Sequence, residues 1–215
     1  MFLRLLLLEL CLKARNLYAL LLPAVLLLNL VLLFPLALTP ASDQLTALAP
    51  GICWLAVLLS LMLQLDRIFR EDKEQGALDM LLAADMAIYS LVARMLAHWL
   101  LLAVPLCMLA TLLGFILGMK GEQLARLTAA LGSGSAVLIC MGTTIASLCV
   151  GASRATMLIG VLLLPLLTPV VIFGVEASKA EPGGWQLVLL LFGCACINLV
   201  IAPLLSSAAL RASLD

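Results

Sequence analysis

Residues 66–82 read DRIFREDKEQGALDMLL and interrupt two long apolar stretches. Residues 66–79 hold eight of the chain's 24 charges, 12 basic and 12 acidic. Asp66/Arg70, Arg67/Glu71 and Arg70/Glu74 are opposite charges four residues apart, a spacing that supports a solvated helix. Gly76 breaks that helix. Asp79 then falls in the first turn of a second short helix, where a negative charge suits the positive end of the helix dipole. Leu78, Met80, Leu81 and Leu82 supply its apolar surface. Such a surface needs a partner or the lipid headgroup layer; an ordinary charged loop is the plainer alternative. The chemistry this spacing offers is docking rather than bond-making.

Residues suited to bond-making chemistry are few. His98 is the only histidine, next to Trp99. An imidazole can ligate haem, yet a hydrogen bond inside a bundle, or a place at the interface beside the amphipathic indole, is the simpler role. The seven cysteines (Cys11, Cys53, Cys107, Cys140, Cys149, Cys194, Cys196) form no CxxC. They lie in apolar stretches and read as small hydrophobes. Cys194 and Cys196 are two apart and do not face each other on a helix. There is no GxxxxGK[ST] phosphate loop, so any ATP that drives this chain is bound by another polypeptide. One histidine excludes an HExxH zinc site, and no GxSxG elbow is present. The chain reads as no enzyme. No cofactor is expected to be bound directly, His98 being the weak candidate for haem.

The elements that carry these residues are set by composition. Of 215 residues, 65% are hydrophobic and 11% charged, and the mean hydropathy is +1.25. A soluble domain averages about 25% charged, so the fitting solvent is a bilayer. No basic patch suggests a nucleic-acid partner. A span needs about 20 mostly apolar residues. Six windows meet or approach this: 17–38, 47–65, 90–119, 127–151, 155–175 and 185–208. They predict an all-α membrane protein forming one domain, 1–215. Residues 1–16 mix Arg4, Glu9, Lys13 and Arg15 with leucines and predict an amphipathic helix on the membrane surface.

Orientation follows from the loop lysines and arginines. With the N-terminus in the cytoplasm, Arg4, Lys13, Arg15, Arg67, Arg70, Lys73, Arg94, Arg154 and Arg211 fall inside, and Lys120, Arg126 and Lys179 outside. Six spans return the C-terminus to the cytoplasm, as expected in a bacterial inner membrane. Pro23, Pro35, Pro105, Pro165, Pro169 and Pro203 each remove a backbone donor and predict kinks. Gly132-Ser133-Gly134-Ser135 and Gly142-Thr143-Thr144 predict close helix approach. Glu176 and Lys179 read as a solvated outer loop. Asn29 and Asn198 are the best polar candidates within spans, with helix–helix hydrogen bonding their default role. A secondary transporter would show ionisable residues near the midplane and inverted repeats; neither is apparent.

The run Arg70-Glu71-Asp72-Lys73-Glu74-Gln75-Gly76-Ala77-Leu78-Asp79-Met80-Leu81 resembles the acidic–Gly–x–Leu signature of ABC-2-type permeases. Leu65–Asp72, Ala97-His98-Trp99, Leu164–Phe173 and Ala49-Pro50-Gly51 together resemble the haem-exporter B subunit of the cytochrome c maturation system. Lys73 stands where that family often has an acidic residue. The resemblance implies a six-span permease-like bundle in which Arg70, Glu71, Asp72, Glu74, Gly76, Leu78, Asp79 and Leu81 form a cytoplasmic coupling helix. The implied partners are a cytoplasmic ABC ATPase subunit that holds the ATP, a haem-handling membrane protein, a very small membrane protein and a periplasmic haem chaperone. Haem would be handled in the complex, and a second copy of this chain is a further candidate partner. An ABC-2 exporter of another cargo, or a secondary transporter, is the alternative without the resemblance.

Overall fold

A computed structural model describes residues 2–14, 17–38, 42–65, 87–149, 155–179 and 182–212. Among them there is no strand. The described residues form eight α-helices: α1 (Phe2–Ala14), α2 (Leu17–Leu38), α3 (Ser42–Leu65), α4 (Ala87–His98), α5 (Val104–Ile116), α6 (Glu122–Leu148), α7 (Ala155–Ala177) and α8 (Gly184–Ala212). A π-helical turn, Trp99–Ala103, joins α4 to α5. Helix is the form in which an apolar segment pairs all its backbone groups within itself, as hydrocarbon demands.

The protein is an all-α membrane protein. Among the described residues, four helical runs are long and apolar enough to cross a bilayer: Gln44–Gln64, Ile88–Ile116, Glu122–Leu148 and Gly184–Arg211. Helices α2 and α7 form apolar stretches that run the length of their described side chains, Leu21–Leu36 and Val161–Ala177. Helices α3 and α6 begin at Ser42 and Glu122, ahead of the apolar windows at 47 and 127. Their polar first turns, Ser42-Asp43-Gln44 and Glu122-Gln123, continue the helix beyond its hydrocarbon part.

Helix α6 is the centre of the bundle. It packs on α8 most extensively, and on α7, α3, α5 and the π turn. Leu127, Ala130, Leu131, Gly134, Val137 and Leu138 are buried on it. Close approach at Gly134 has a specific cause. The Trp54 indole of α3 is fully buried, and a Cβ on Gly134 would lie 2.3 Å from its Cη2. A Cβ on Gly174 of α7 would lie 2.1 Å from Cζ2. The ring therefore occupies a slot that two glycines leave between α6 and α7. Its Nε1 donates to Ser178 Oγ at 3.3 Å, and that hydroxyl donates to the Gly174 carbonyl at 2.7 Å. A buried indole N–H needs such a partner.

Hydrogen bonds identify the two ends of the bundle. At one, Thr46 Oγ1 donates to the Leu117 carbonyl at 3.3 Å and Arg126 Nη1 to the Lys179 carbonyl at 3.3 Å. The α5–α6 turn here needs Gly118, whose φ of 97° is left-handed and strained for any residue with a Cβ. At the other end Arg94 meets Glu9, and Ser206 Oγ donates to Thr144 Oγ1 at 3.5 Å. Pro23, Pro35, Pro50, Pro165, Pro169 and Pro203 lie inside continuous α-helices. Among the described prolines, Pro105 alone coincides with a change of helix type.

Candidate functional site at the charged end of the bundle

The charged segment is framed by Leu65, the last residue of α3, and Ala87, the first of α4. Arg70, Glu71, Asp72, Glu74, Gly76, Leu78, Asp79 and Leu81 lie outside the described residues. The first described charge beyond the segment is Arg94, two helical turns into α4. Ala93, Met95 and Ala97 around it are buried, and the Arg94 side chain is 8% exposed. A cation placed there needs a counter-charge. Glu9 of α1 provides one: its Oε1 accepts from Arg94 Nη2 at 3.2 Å and from Nε at 3.4 Å. On α1, Glu9 shares the inner face with Leu5 and Leu6, whereas Arg4, Leu7, Leu8 and Cys11 are exposed. The N-terminal helix thus turns its carboxylate inward beside Leu5 and Leu6 and leaves Leu7 and Leu8 outward.

His98 stands one turn after Arg94, half-buried, and its Nδ1 donates to the Arg94 carbonyl at 3.1 Å. Ligation of haem iron would have to use Nε2. Trp99 follows. Its Nε1 donates to the Gly132 carbonyl and to Ser135 Oγ, both at 3.2 Å, so the start of the π turn is fastened to α6. The turn has a local cause. Pro105 has no N–H, which leaves the Leu101 carbonyl without its helical donor. The Val104 N–H reaches back five residues to Trp99 instead. π turns of this kind gather at functional sites.

These observations describe a membrane bundle whose N-terminal helix and central helix are both tied to the helix that follows the charged segment. The family model described as CcmB protein matches residues 1–213. The chain belongs to the CcmB family. It is 38% identical over 186 residues to heme exporter protein B of Paracoccus denitrificans, covering 85% of each chain. It is 36% identical over 191 residues to heme exporter protein B of Haemophilus influenzae, covering 86% of each. For heme exporter protein B of Pseudomonas aeruginosa the identity is 35% over 188 residues, covering 85% of this chain and 84% of that one.

The opposite end of this CcmB-family chain departs from a simple solvated loop. Glu176 and Lys179 pair with each other and remain exposed, 44% and 38%. Arg126, however, is buried. Its Nη2 and Nε reach Glu122 Oε1 at 2.8 and 3.1 Å, and its Nη1 caps the Lys179 carbonyl. Trp185 Nε1 donates to the same Glu122 oxygen at 2.9 Å. Among the described residues, no group of three or more His, Cys, Asp or Glu could hold a metal ion.

Three of these features went unread in the sequence: the Glu9–Arg94 pair, the fastening of Trp99 to α6, and the burial of Arg126. A signal existed for two of them. An arginine inside an apolar helix demands a partner, although nothing in the sequence names a partner 85 residues away.

Proposed function

We propose that this chain is the membrane subunit of an ATP-driven complex in cytochrome c biogenesis. In this reading it lies in a bacterial inner membrane with both termini in the cytoplasm and has an ABC-2-like bundle. A separate cytoplasmic ATPase binds segment 66–82 and holds the ATP. Hydrolysis is coupled to haem delivery, or to release of a haem-loaded periplasmic chaperone. A haem-handling membrane protein and a small membrane protein complete the assembly. The observation that carries the reading is the family match over residues 1–213, shared with relatives named heme exporter protein B. The missing phosphate loop and the charged segment agree with it.

The role is transmission. Closure of the ATPase pushes the 76–82 region, and the push enters α3 and α4, whose ends flank it. From α4 it reaches α1 through Glu9–Arg94 and α6 through Trp99. The test is a triple variant at Glu74, Gly76 and Leu78, each changed to a residue of altered charge or shape. Expected are normal membrane insertion, loss of mature cytochrome c and ATPase turnover no longer linked to it. Wild-type cytochrome c production by a correctly inserted triple variant would overturn the docking role. Purification from mild detergent is the companion measurement: a co-purifying ATPase with haem-handling proteins is expected, and the absence of any ATPase would overturn the reading.

A further inference from the structure

Side-chain donors set seven residues apart join α3 to α5 and its C-terminal turn. Thr46 Oγ1 donates to the Leu117 carbonyl at 3.3 Å, and Cys53 Sγ to the Ala110 carbonyl at 3.5 Å. Donors and acceptors both step by seven, in opposite chain directions, which is the repeat of antiparallel helices packed at a shallow angle. The next step pairs Ser60 with Ala103. Both are fully buried, at 0% exposure, yet this third rung is open. Among the described residues, Ser60 Oγ is the one fully buried side-chain oxygen or nitrogen without a hydrogen-bond partner. Other buried hydroxyls are satisfied on their own helix: Ser135, Thr143 and Ser147 donate to carbonyls three or four residues back. Ser60 does not use that option, so its hydroxyl bears an uncompensated desolvation cost.

The acceptor side explains the gap. Ala103 is the last residue of the π turn, and α5 begins at Val104. The Val104 N–H goes to Trp99 and Pro105 has none, so the Leu100 and Leu101 carbonyls both lack their α-helical donors. A π turn departs from the α-helical register, and the seven-residue step is lost where the third rung would form. The two halves of this span also answer to different neighbours. Helix α4 packs chiefly on α1 and α8, and α5 on α3, α6 and α2. We infer that the π turn is a two-state joint and Ser60 its latch: in a second arrangement Ser60 Oγ donates to the Ala103 carbonyl. Because α5 is already held to α3 at Ala110 and Leu117, closing that rung tilts α4 and leaves α5 in place. The end of α4 that moves is the one that follows the charged segment. One hydrogen bond gained by a buried hydroxyl is of the size that separates two populated states. The inference concerns the α4–α5 span itself and does not depend on the ATP-coupled reading.

The test uses the full chain in lipid nanodiscs, with spin labels carried on unnatural amino acids so that the seven native cysteines stay in place. One pair of labels replaces Tyr89 on α4 and Leu63 on α3. A second pair replaces Leu48 on α3 and Leu112 on α5, all four positions being exposed. Pulsed dipolar distance measurements should show two populations for 89–63 and one for 48–112. Ser60→Ala should lower the second 89–63 population about fivefold, the worth of one hydrogen bond, without moving the 48–112 distance. Ser60→Cys, which repeats the thiol rung at Cys53, should lower it less. Unchanged proportions in Ser60→Ala would overturn the proposal. So would a single 89–63 distance in the chain that keeps Ser60, since the joint would then have one fixed arrangement.

Discussion

The Arg94 guanidinium on α4 and the Glu9 carboxylate on α1 meet at 3.2 Å with both side chains largely withdrawn from the surface. The pair spans 85 positions and binds the N-terminal helix to the helix that follows the charged segment. Removing one member of a buried pair leaves the other charge to bear its desolvation cost. Glu9 keeps 17% exposure, which moderates this, so Glu9→Gln should cost about 1–3 kcal/mol. The measurement is thermal unfolding of the purified chain in detergent. The exchange Glu9→Arg with Arg94→Glu should recover at least half the loss. Equal melting of Glu9→Gln and wild type would show that the pair does not hold α1.

The slot around Trp54 makes two predictions, one for emptying it and one for overfilling it. Truncation to alanine empties a large buried volume and should destabilise by about 3–5 kcal/mol. Adding a methyl at Gly134 or Gly174 overfills the same slot, since each Cβ would fall within 2.3 Å of the indole. Overpacking of this kind costs about 1–3 kcal/mol. Trp54→Phe removes the outer ring, so Gly134→Ala should be cheaper in that background than alone. A double-mutant cycle on unfolding midpoints reads the coupling. Strict additivity of the two changes would mean the glycines serve some other purpose.

At the π turn, Trp99→Phe keeps an aromatic ring and removes the donor shared by the Gly132 carbonyl and Ser135 Oγ. A lost hydrogen bond is worth about 1 kcal/mol, which corresponds to roughly a fivefold change in a local opening equilibrium. Amide hydrogen exchange across residues 99–104 should accelerate by about that factor, with exchange in α7 unchanged. Uniform exchange rates in the variant and wild type would detach the turn from α6.

Much of this architecture could be read from the residues alone, because hydropathy and span length are local quantities. The windows at 17–38 and 155–175 coincide closely with α2 and α7. Polar first turns hid the true starts of α3 and α6, since a hydropathy window records hydrocarbon and not helix. The small-residue run at 132–135 announced close packing, but its occupant, Trp54, lies 80 positions earlier and leaves no local trace. Of the eight described prolines, six lie in helices that stay continuous, because neighbouring helices can re-satisfy the carbonyls they free. Only Pro105, set just after Trp99–Ala103, changed the hydrogen-bonding register. Pairings such as Glu9–Arg94 and Arg126–Lys179 depend on tertiary contacts and could not be read at all. The coupling residues 70–81 fall outside the described residues, so they remain a reading of sequence.

Arg126 gives the last prediction, at the end of the bundle opposite the charged segment. Its guanidinium bonds Glu122 on its own helix and the Lys179 carbonyl after α7, and it lies close beside the bare backbone of Gly184 opening α8. A Cβ on Gly184 would lie 2.7 Å from Arg126 Nη1 and 2.6 Å from the Ala177 carbonyl. Gly184→Ala must therefore displace either the guanidinium or the α7–α8 connection. Arg126→Lys keeps the charge but lacks the planar fork that reaches two acceptors at once. Each substitution should cost about 1–3 kcal/mol, and Gly184→Ala should cost less, though not nothing, once Arg126 is already lysine, because the guanidinium is gone while the clash with the Ala177 carbonyl stays. Trp185 reports the outcome directly, since its indole shares the Glu122 oxygen. Its fluorescence should shift in Arg126→Lys as the carboxylate loses its anchor. An unchanged spectrum together with additive costs would show that Arg126 and Gly184 act independently.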